Sequence, residues 1–148
     1  MKQQASKDIV VAAFITDSEG RVLLVEASHK DGWIFPGGYV EKGESPSAAC
    51  TREVEAELGV RIDSPIKLLS VDYCDSTEEY VMFIFDCGTL SDEQIRMIKL
   101  PPSLRRFTFL APEEAQPAMR RHSSRRLMPT VAARDKTGIA YMEHEEVF

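Results

Sequence analysis

The chain has 148 residues, a formal net charge of −6, and 43% hydrophobic and 28% charged residues. That length supports one domain, residues 1–148, with a real core, and the composition is that of a soluble globular protein. The acidic balance excludes bulk attraction to a nucleic-acid backbone, so no stable nucleic-acid partner is expected. An acidic protein can still take a phosphorylated substrate if a metal ion bridges the two negative surfaces.

Cys50, Cys74 and Cys87 show neither zinc-site spacing nor a disulfide framework, which favours a reducing compartment, the cytoplasm. The polar start MKQQASKD lacks a signal-peptide core. The longest apolar run, residues 9–15, is too short to cross a bilayer, so no membrane role is expected.

In chain order, residues 8–16 are rich in Ile and Val and read as a buried strand. Asp17-Ser18-Glu19-Gly20 is a turn, and residues 21–27 return as a second strand, giving a hairpin. Residues 28–32 form a polar loop. Trp33-Ile34-Phe35-Pro36 is a short edge segment running into Gly37-Gly38, which permit close backbone approach. After a loop or short strand, Ser45-Pro46 starts a helix, with Ser as N-cap and Pro at the first helical position. Gly59 is placed to end it after Leu58. Residues 66–72 read as a strand, and 74–79 as an acidic loop. Residues 81–85 are apolar on both faces, as in a central strand. Residues 88–93 read as a turn, and 95–100 as a strand broken by Pro101-Pro102. Residues 107–110 are short and apolar. Helices are expected from residue 111 and over 123–134, with Pro129 near the start or at a kink. A last strand covers 138–143. Strands alternating with helices point to an α/β fold with a mixed sheet between helical layers.

The unusual stretch is residues 37–60, GGYVEKGESPSAACTREVEAELGV. Residues four apart on a helix share a stripe, so Glu53 and Glu57 project together. Val54, Leu58 and Cys50 make the neighbouring, core-facing stripe, and Glu55 faces water. Two carboxylates aimed along a cleft favour a hard cation such as Mg²⁺, which keeps waters and substrate phosphates. The glycine pair can add a backbone carbonyl. Such an ion neutralises phosphate charge and activates water, and water attack on a phosphoanhydride follows. Two glutamates at this spacing, taken alone, are commonly a solvated face; the flanking Gly37-Gly38, Glu44, Arg52 and Gly59 set this helix apart.

The stretch resembles the Nudix box, G-x5-E-x7-R-E-U-x-E-E-x-G-U, where U is bulky and aliphatic. Gly38, Glu44, Arg52, Glu53, Val54, Glu57, Gly59 and Val60 match at the required spacing. Gly37 and the lead-in Trp33-Ile34-Phe35-Pro36 also fit. Ala56 departs, standing where the first glutamate of the E-E pair belongs.

The resemblance implies an α/β/α sandwich with a central mixed sheet. It also implies a Mg²⁺- or Mn²⁺-dependent pyrophosphohydrolase acting on a nucleoside diphosphate linked to another group. Carried over, Glu53 and Glu57 are metal ligands and Gly38 a carbonyl ligand. Glu53 alternatively serves as base. Arg52 and Glu44 brace the loop against the helix. Ala56 implies one ligand fewer, with Glu41, Glu78, Glu79 or Glu93 as candidate substitutes. It also supports the rival reading of a catalytically impaired nucleotide-sensing or partner-binding module. A homodimer is an expectation of the resemblance alone.

Outside the box, Phe35, Tyr73 and Glu79 are candidate substrate contacts; for the aromatics the competing role is core packing. The pairs Arg105-Arg106, Arg120-Arg121 and Arg125-Arg126 offer phosphate contacts, against the commoner role of a solvated helix face. His29, His122 and His144 are dispersed and assigned no role.

Overall fold

The computed structural model describes residues 3–63, 66–75, 78–143 and 146–148. His144 lies outside them. Strand β1 (Asp8–Thr16) sends Val11, Ala13 and Ile15 into one core and Ala12 and Phe14 into another. Strand β2 (Val22–Ala27) does the same, with Leu23 and Val25 on one face and Val22 and Leu24 on the other. This alternation, with both faces buried, requires helices above and below the sheet.

The expected hairpin forms, but β1 and β2 meet only at Thr16 and Val22. The Asp17 carboxylate ties the turn by accepting the Glu19 and Arg21 N–H groups. Beyond it the strands splay, and the following segment fills the gap. Strand β3 (Trp33–Ile34) pairs with β2, and β4 (Gly37–Tyr39) pairs with Val10, Val11 and Ala12 of β1. The glycine pair is thereby set into the middle of the sheet.

On the other side of β1 lies β6 (Tyr80–Thr89), parallel to it and central as expected. Then come β5 (Lys67–Cys74), β8 (Ala140–Glu143) and β9 (Glu146–Val147). Strand β7 (Leu104–Leu110) covers the outer edge of β2. It extends the apolar residues 107–110 by three at its start. The sheet is mixed, with β1–β6 and β5–β8 parallel and the other pairs antiparallel.

Helix α1 (Pro46–Leu58) lays Ala49, Cys50, Val54 and Leu58 on the first core. Helices α3 (Pro112–Ala118) and α4 (Arg121–Asp135) cover the second, through Ala115 and Leu127. The fold is the expected α/β/α sandwich. Pro129 lies well inside α4 rather than at its start.

One expected strand is wrong. Residues 92–96 form helix α2 (Asp92–Arg96), and residues 97–100 have no regular structure. The Ser91 hydroxyl accepts from Gln94 N–H at 3.1 Å, and the Gln94 side chain accepts from Ser91 N–H at 2.9 Å. This reciprocal cap, with Asp92 and Glu93 in the first turn and Arg96 in the last, outweighs the apolar pattern of residues 95–100. Among the described residues, no helix is long and apolar enough to cross a membrane.

Candidate active site

Helix α1 is fixed at both ends. Ser45 accepts from Ala48 N–H at 3.2 Å, Pro46 opens the helix, and Gly59 closes it at φ 72°. Burial of Cys50, Val54 and Leu58 against the sheet sets its rotation and leaves Glu53 and Glu57 against β4. Ala56 and Glu55 are exposed.

Both glycines of β4 are required by contact. A Cβ on Gly37 would stand 2.0 Å from the Val11 carbonyl oxygen. A Cβ on Gly38 would stand 2.6 Å from the Glu53 carboxylate carbon and 2.8 Å from both its oxygens. The two substitutions therefore fail differently. Gly37→Ala pushes backbone on backbone, which is expected to cost about 1–3 kcal/mol or more of stability. Gly38→Ala displaces the end of a flexible side chain, so it is expected to spare the melting temperature and to lose about 10²-fold in turnover. Thermal melts and rates on the two variants check this; full activity in Gly38→Ala would refute the assignment.

Arg52 organises the carboxylates. Its Nε and Nη2 donate to the two Glu44 oxygens at 2.7 and 3.0 Å. Its Nη1 donates to Glu53 Oε1 at 2.7 Å, and Nη2 also reaches the Tyr39 carbonyl at 3.1 Å. Glu44 and Glu53 raise the pKa of Arg52, and Arg52 lowers that of Glu44. One guanidinium thus ties the loop, the strand and the helix together and fixes one oxygen of Glu53.

Glu57 is half-buried, not exposed as a cleft-edge residue would be. Its Oε1 accepts the Gly37 N–H at 2.6 Å. Burial pushes its pKa up to about 7, and Glu53 adds to this, while the Gly37 hydrogen bond opposes it. A half-buried carboxylate beside another is what a cation would relieve. Among the described residues, no three His, Cys, Asp or Glu side chains cluster as a complete metal cage. Two carboxylates and the Gly38 carbonyl still fit a hard divalent ion that shares its coordination with waters and phosphate oxygens.

A cleft of about 550 Å³ is lined by Gly37, Gly38 and Tyr39 and by Glu78, Tyr80 and Arg126; Glu53 and Glu57 are not among its lining residues. Phe35 lines it too, but is only 6% exposed and packs on Phe14 at 6.2 Å between ring centroids. Its main role is core packing, because β3 and β4 carry it into the second core. Tyr73 and Glu79 are not among the described residues lining the cleft. They flank Lys7, whose ammonium stands 4.7 Å over the Tyr73 ring and 3.5 Å from Glu79.

Of the four candidate substitutes for the missing glutamate, Glu78 alone lines this cleft among the described residues. Glu41 is exposed and 4.0 Å from Arg52. Glu93 follows the far end of β6 from Glu78, and the strand between them is about 30 Å long.

The far wall carries residues that sequence reasoning did not assign. Strand β5 buries Ser70, Asp72 and Cys74 on one face. Helix α4 sets Arg126 and Thr130, one turn apart, against them. Ser70 and Thr130 hydroxyls lie 2.8 Å apart, and Arg126 Nε donates to Asp72 Oδ2 at 2.6 Å. Arg126 also donates to Cys74 and Tyr80. Arg125 shares Asp72 at 3.2 Å. The Arg125-Arg126 pair is therefore not a solvated face, and Arg126 is 3% exposed. Burial works against its charge, but Tyr80 and Asp72 raise its pKa on balance. The alternating polar residues of β5 were the available signal.

A family model described as NUDIX domain matches residues 6–131. The chain belongs to the Nudix hydrolase family. Nudix hydrolases use divalent metal ions, in keeping with the Glu53–Glu57 pair. The chain is 30% identical over 79 residues to a MutT-like protein of Streptomyces ambofaciens, covering 53% of this chain and 50% of the relative. It is 49% identical over 49 residues to diphosphoinositol polyphosphate phosphohydrolase 2 of Rattus norvegicus, covering 32% and 27%. The chain thus spans half or less of the length of these curated relatives. A MutT protein of Methanosarcina mazei has the same fold, with a TM-score of 0.73 at 19% identity over 92% of this chain and 99% of that one.

Proposed function

We propose that this chain hydrolyses the diphosphate bond of a nucleoside diphosphate derivative, with Mg²⁺ or Mn²⁺ held by Glu53, Glu57 and the Gly38 carbonyl. The observation carrying this reading is the Arg52 clamp, which fixes Glu53 against Gly38, a residue that also lines the cleft. When bound, the ion neutralises diphosphate charge and acidifies water. The chain's own residues do the rest. Glu44 and Tyr39 hold Arg52, Arg52 holds Glu53, and Gly37 holds Glu57. To Glu78, which lines the same cleft as Gly38, we assign the role of taking the proton of the attacking water. The three cysteines are free, in keeping with a reducing, cytoplasmic setting.

A second reading has its own support. Ala56 leaves two carboxylates where the family pattern has three, as suits a nucleotide-binding module without turnover. A panel separates the two: nucleoside triphosphates, nucleotide sugars, dinucleoside polyphosphates and NADH, each with Mg²⁺ and Mn²⁺, followed by released phosphate and nucleotide. Turnover on one class, reduced about 10²-fold in Glu78→Gln, is the expected result. Binding without turnover across the panel would establish the module instead, and an unchanged rate in Glu78→Gln would remove Glu78 from the mechanism.

A further inference from the structure

The cleft does not end at Gly38 and Glu78. A second cavity of about 530 Å³ continues it along α4, sharing Lys30, Glu78, Tyr80, Arg120, Ser123 and Arg126 with the first. Its far part belongs to Arg121, His122 and Arg125.

Five cationic side chains line this extension: Lys30, Arg120, Arg121, Arg125 and Arg126. Among the described residues, Glu78 lines this extension and Asp72 pairs with Arg125 and Arg126. Arg120 is anchored through the carbonyls of Asp31 and Lys30 at 3.1 and 3.2 Å, which hold it in place and leave its charge intact. Arg121 is exposed and takes part in no ion pair among the described residues. Arg125 must share Asp72 with Arg126, and its Nε is buried with no acceptor. In a chain of net charge −6, a positive excess gathered in one cleft focuses anions there. Guanidinium forks on a rigid helix suit the tetrahedral oxygens of phosphate.

We propose that this arginine-lined extension binds a phosphate group of the substrate remote from the diphosphate that is cleaved. The proposal rests on hydrolysis taking place at Glu53 and Glu57. It makes the substrate a diphosphate compound that also carries a phosphate monoester, with Arg121 and Arg125 as the residues selecting it.

Matched substrates test this on the intact protein with Mg²⁺. NADPH and NADH differ by one phosphate monoester, as do coenzyme A and dephospho-coenzyme A. The expected result is a kcat/KM ratio of about tenfold or more favouring the phosphorylated member of a pair, the factor one charge-assisted contact supplies. Arg121→Gln, at an exposed position, is expected to bring that ratio close to one. Arg125→Lys keeps a cation beside Asp72 but removes the fork, and is expected to lower the ratio as well. Ratios near one in both pairs, or wild-type ratios in both variants, would overturn the proposal while leaving the hydrolase reading intact.

A second measurement needs no turnover. Calorimetry is expected to show adenosine 3′,5′-bisphosphate binding about tenfold more tightly than AMP, with the difference lost in Arg121→Gln. Inositol hexakisphosphate in the same assay distinguishes an inositol phosphate from a nucleotide as the source of the remote phosphate. If nothing is hydrolysed but the bisphosphate preference and its loss are seen, the hydrolase reading fails and the anion site stands. Equal binding of bisphosphate, hexakisphosphate and AMP would refute it.

Discussion

Glu57→Gln is expected to abolish hydrolysis and, at pH 8 without metal, to raise the melting temperature. Both effects come from one environment. Glutamine keeps the oxygen that accepts the Gly37 N–H and removes the charge that burial and Glu53 oppose. With Glu57 holding the metal ion as proposed, its loss removes several kcal/mol of charge stabilisation, about 10³-fold or more in rate.

The stability effect has a defined sign. Unfolded Glu57 ionises near its ordinary value of 4.5, while in the fold its pKa is about 7. Between these values the native state holds a proton that the unfolded chain has lost. Stability therefore falls as pH rises from 4.5 through 7 and levels off above. The full shift corresponds to about 3 kcal/mol, and partial exposure makes about 2 kcal/mol the working figure, or roughly 5 °C in melting temperature. Asp17, Glu26 and Glu44 have lowered pKa values, so their contribution is lost only under more acidic conditions. Scanning calorimetry at pH 5 and 8 isolates Glu57: the wild type should show the slope, and the Gln variant should lack it. Mg²⁺ should stabilise the wild type more at pH 8 than at pH 5. An unchanged wild-type melting temperature across that range would remove the desolvation argument.

The parts of the molecule that could be read from the sequence are those set by local chemistry. The Ser45 cap, Pro46, Gly59 and the two-sided apolar run of β1 each act within a few residues, and the helix they define appears within its expected bounds. The brace of Arg52 against Glu44 came from the resemblance to the Nudix box, and the contact of Arg52 with Glu53 was not part of it. The parts that were not legible depend on chain crossings. The burial of Glu57 comes from β4, which reaches Gly37 only because β1 and β2 splay. That Glu78 and not Glu93 lines the cleft depends on which end of β6 lies beside the strand positions paired with β4. Phe35 reads as a stacking candidate by sequence neighbourhood and is drawn into the core by the pairing of β3 and β4 on either side of it. In α2 a local signal was present: Ser91 and Gln94 form a reciprocal cap that a reading by apolar pattern alone passes over.

The largest stability effect is expected at Asp72, far from the box in sequence. Asp72 is fully buried, and Arg126, 3% exposed, donates to it at 2.6 Å while Arg125 lies 3.2 Å away. Asp72→Ala leaves two guanidiniums side by side, one of them sealed from water. Breaking a buried pair in this way costs about 3–5 kcal/mol, roughly 10 °C or more for a chain of this size. Removing the second charge as well distinguishes a lost attraction from a stranded cation. If the penalty comes from Arg126 left unpaired, Asp72→Ala combined with Arg126→Met recovers a large part of the loss, because an apolar side chain of similar length needs no partner in the second core. If the two substitutions add instead, the ion pair contributes no coupling and the stability of this wall lies in Ser70 and Thr130. A double-mutant cycle by urea unfolding gives the coupling directly, and a value below about 0.5 kcal/mol would refute the pair as the anchor of α4.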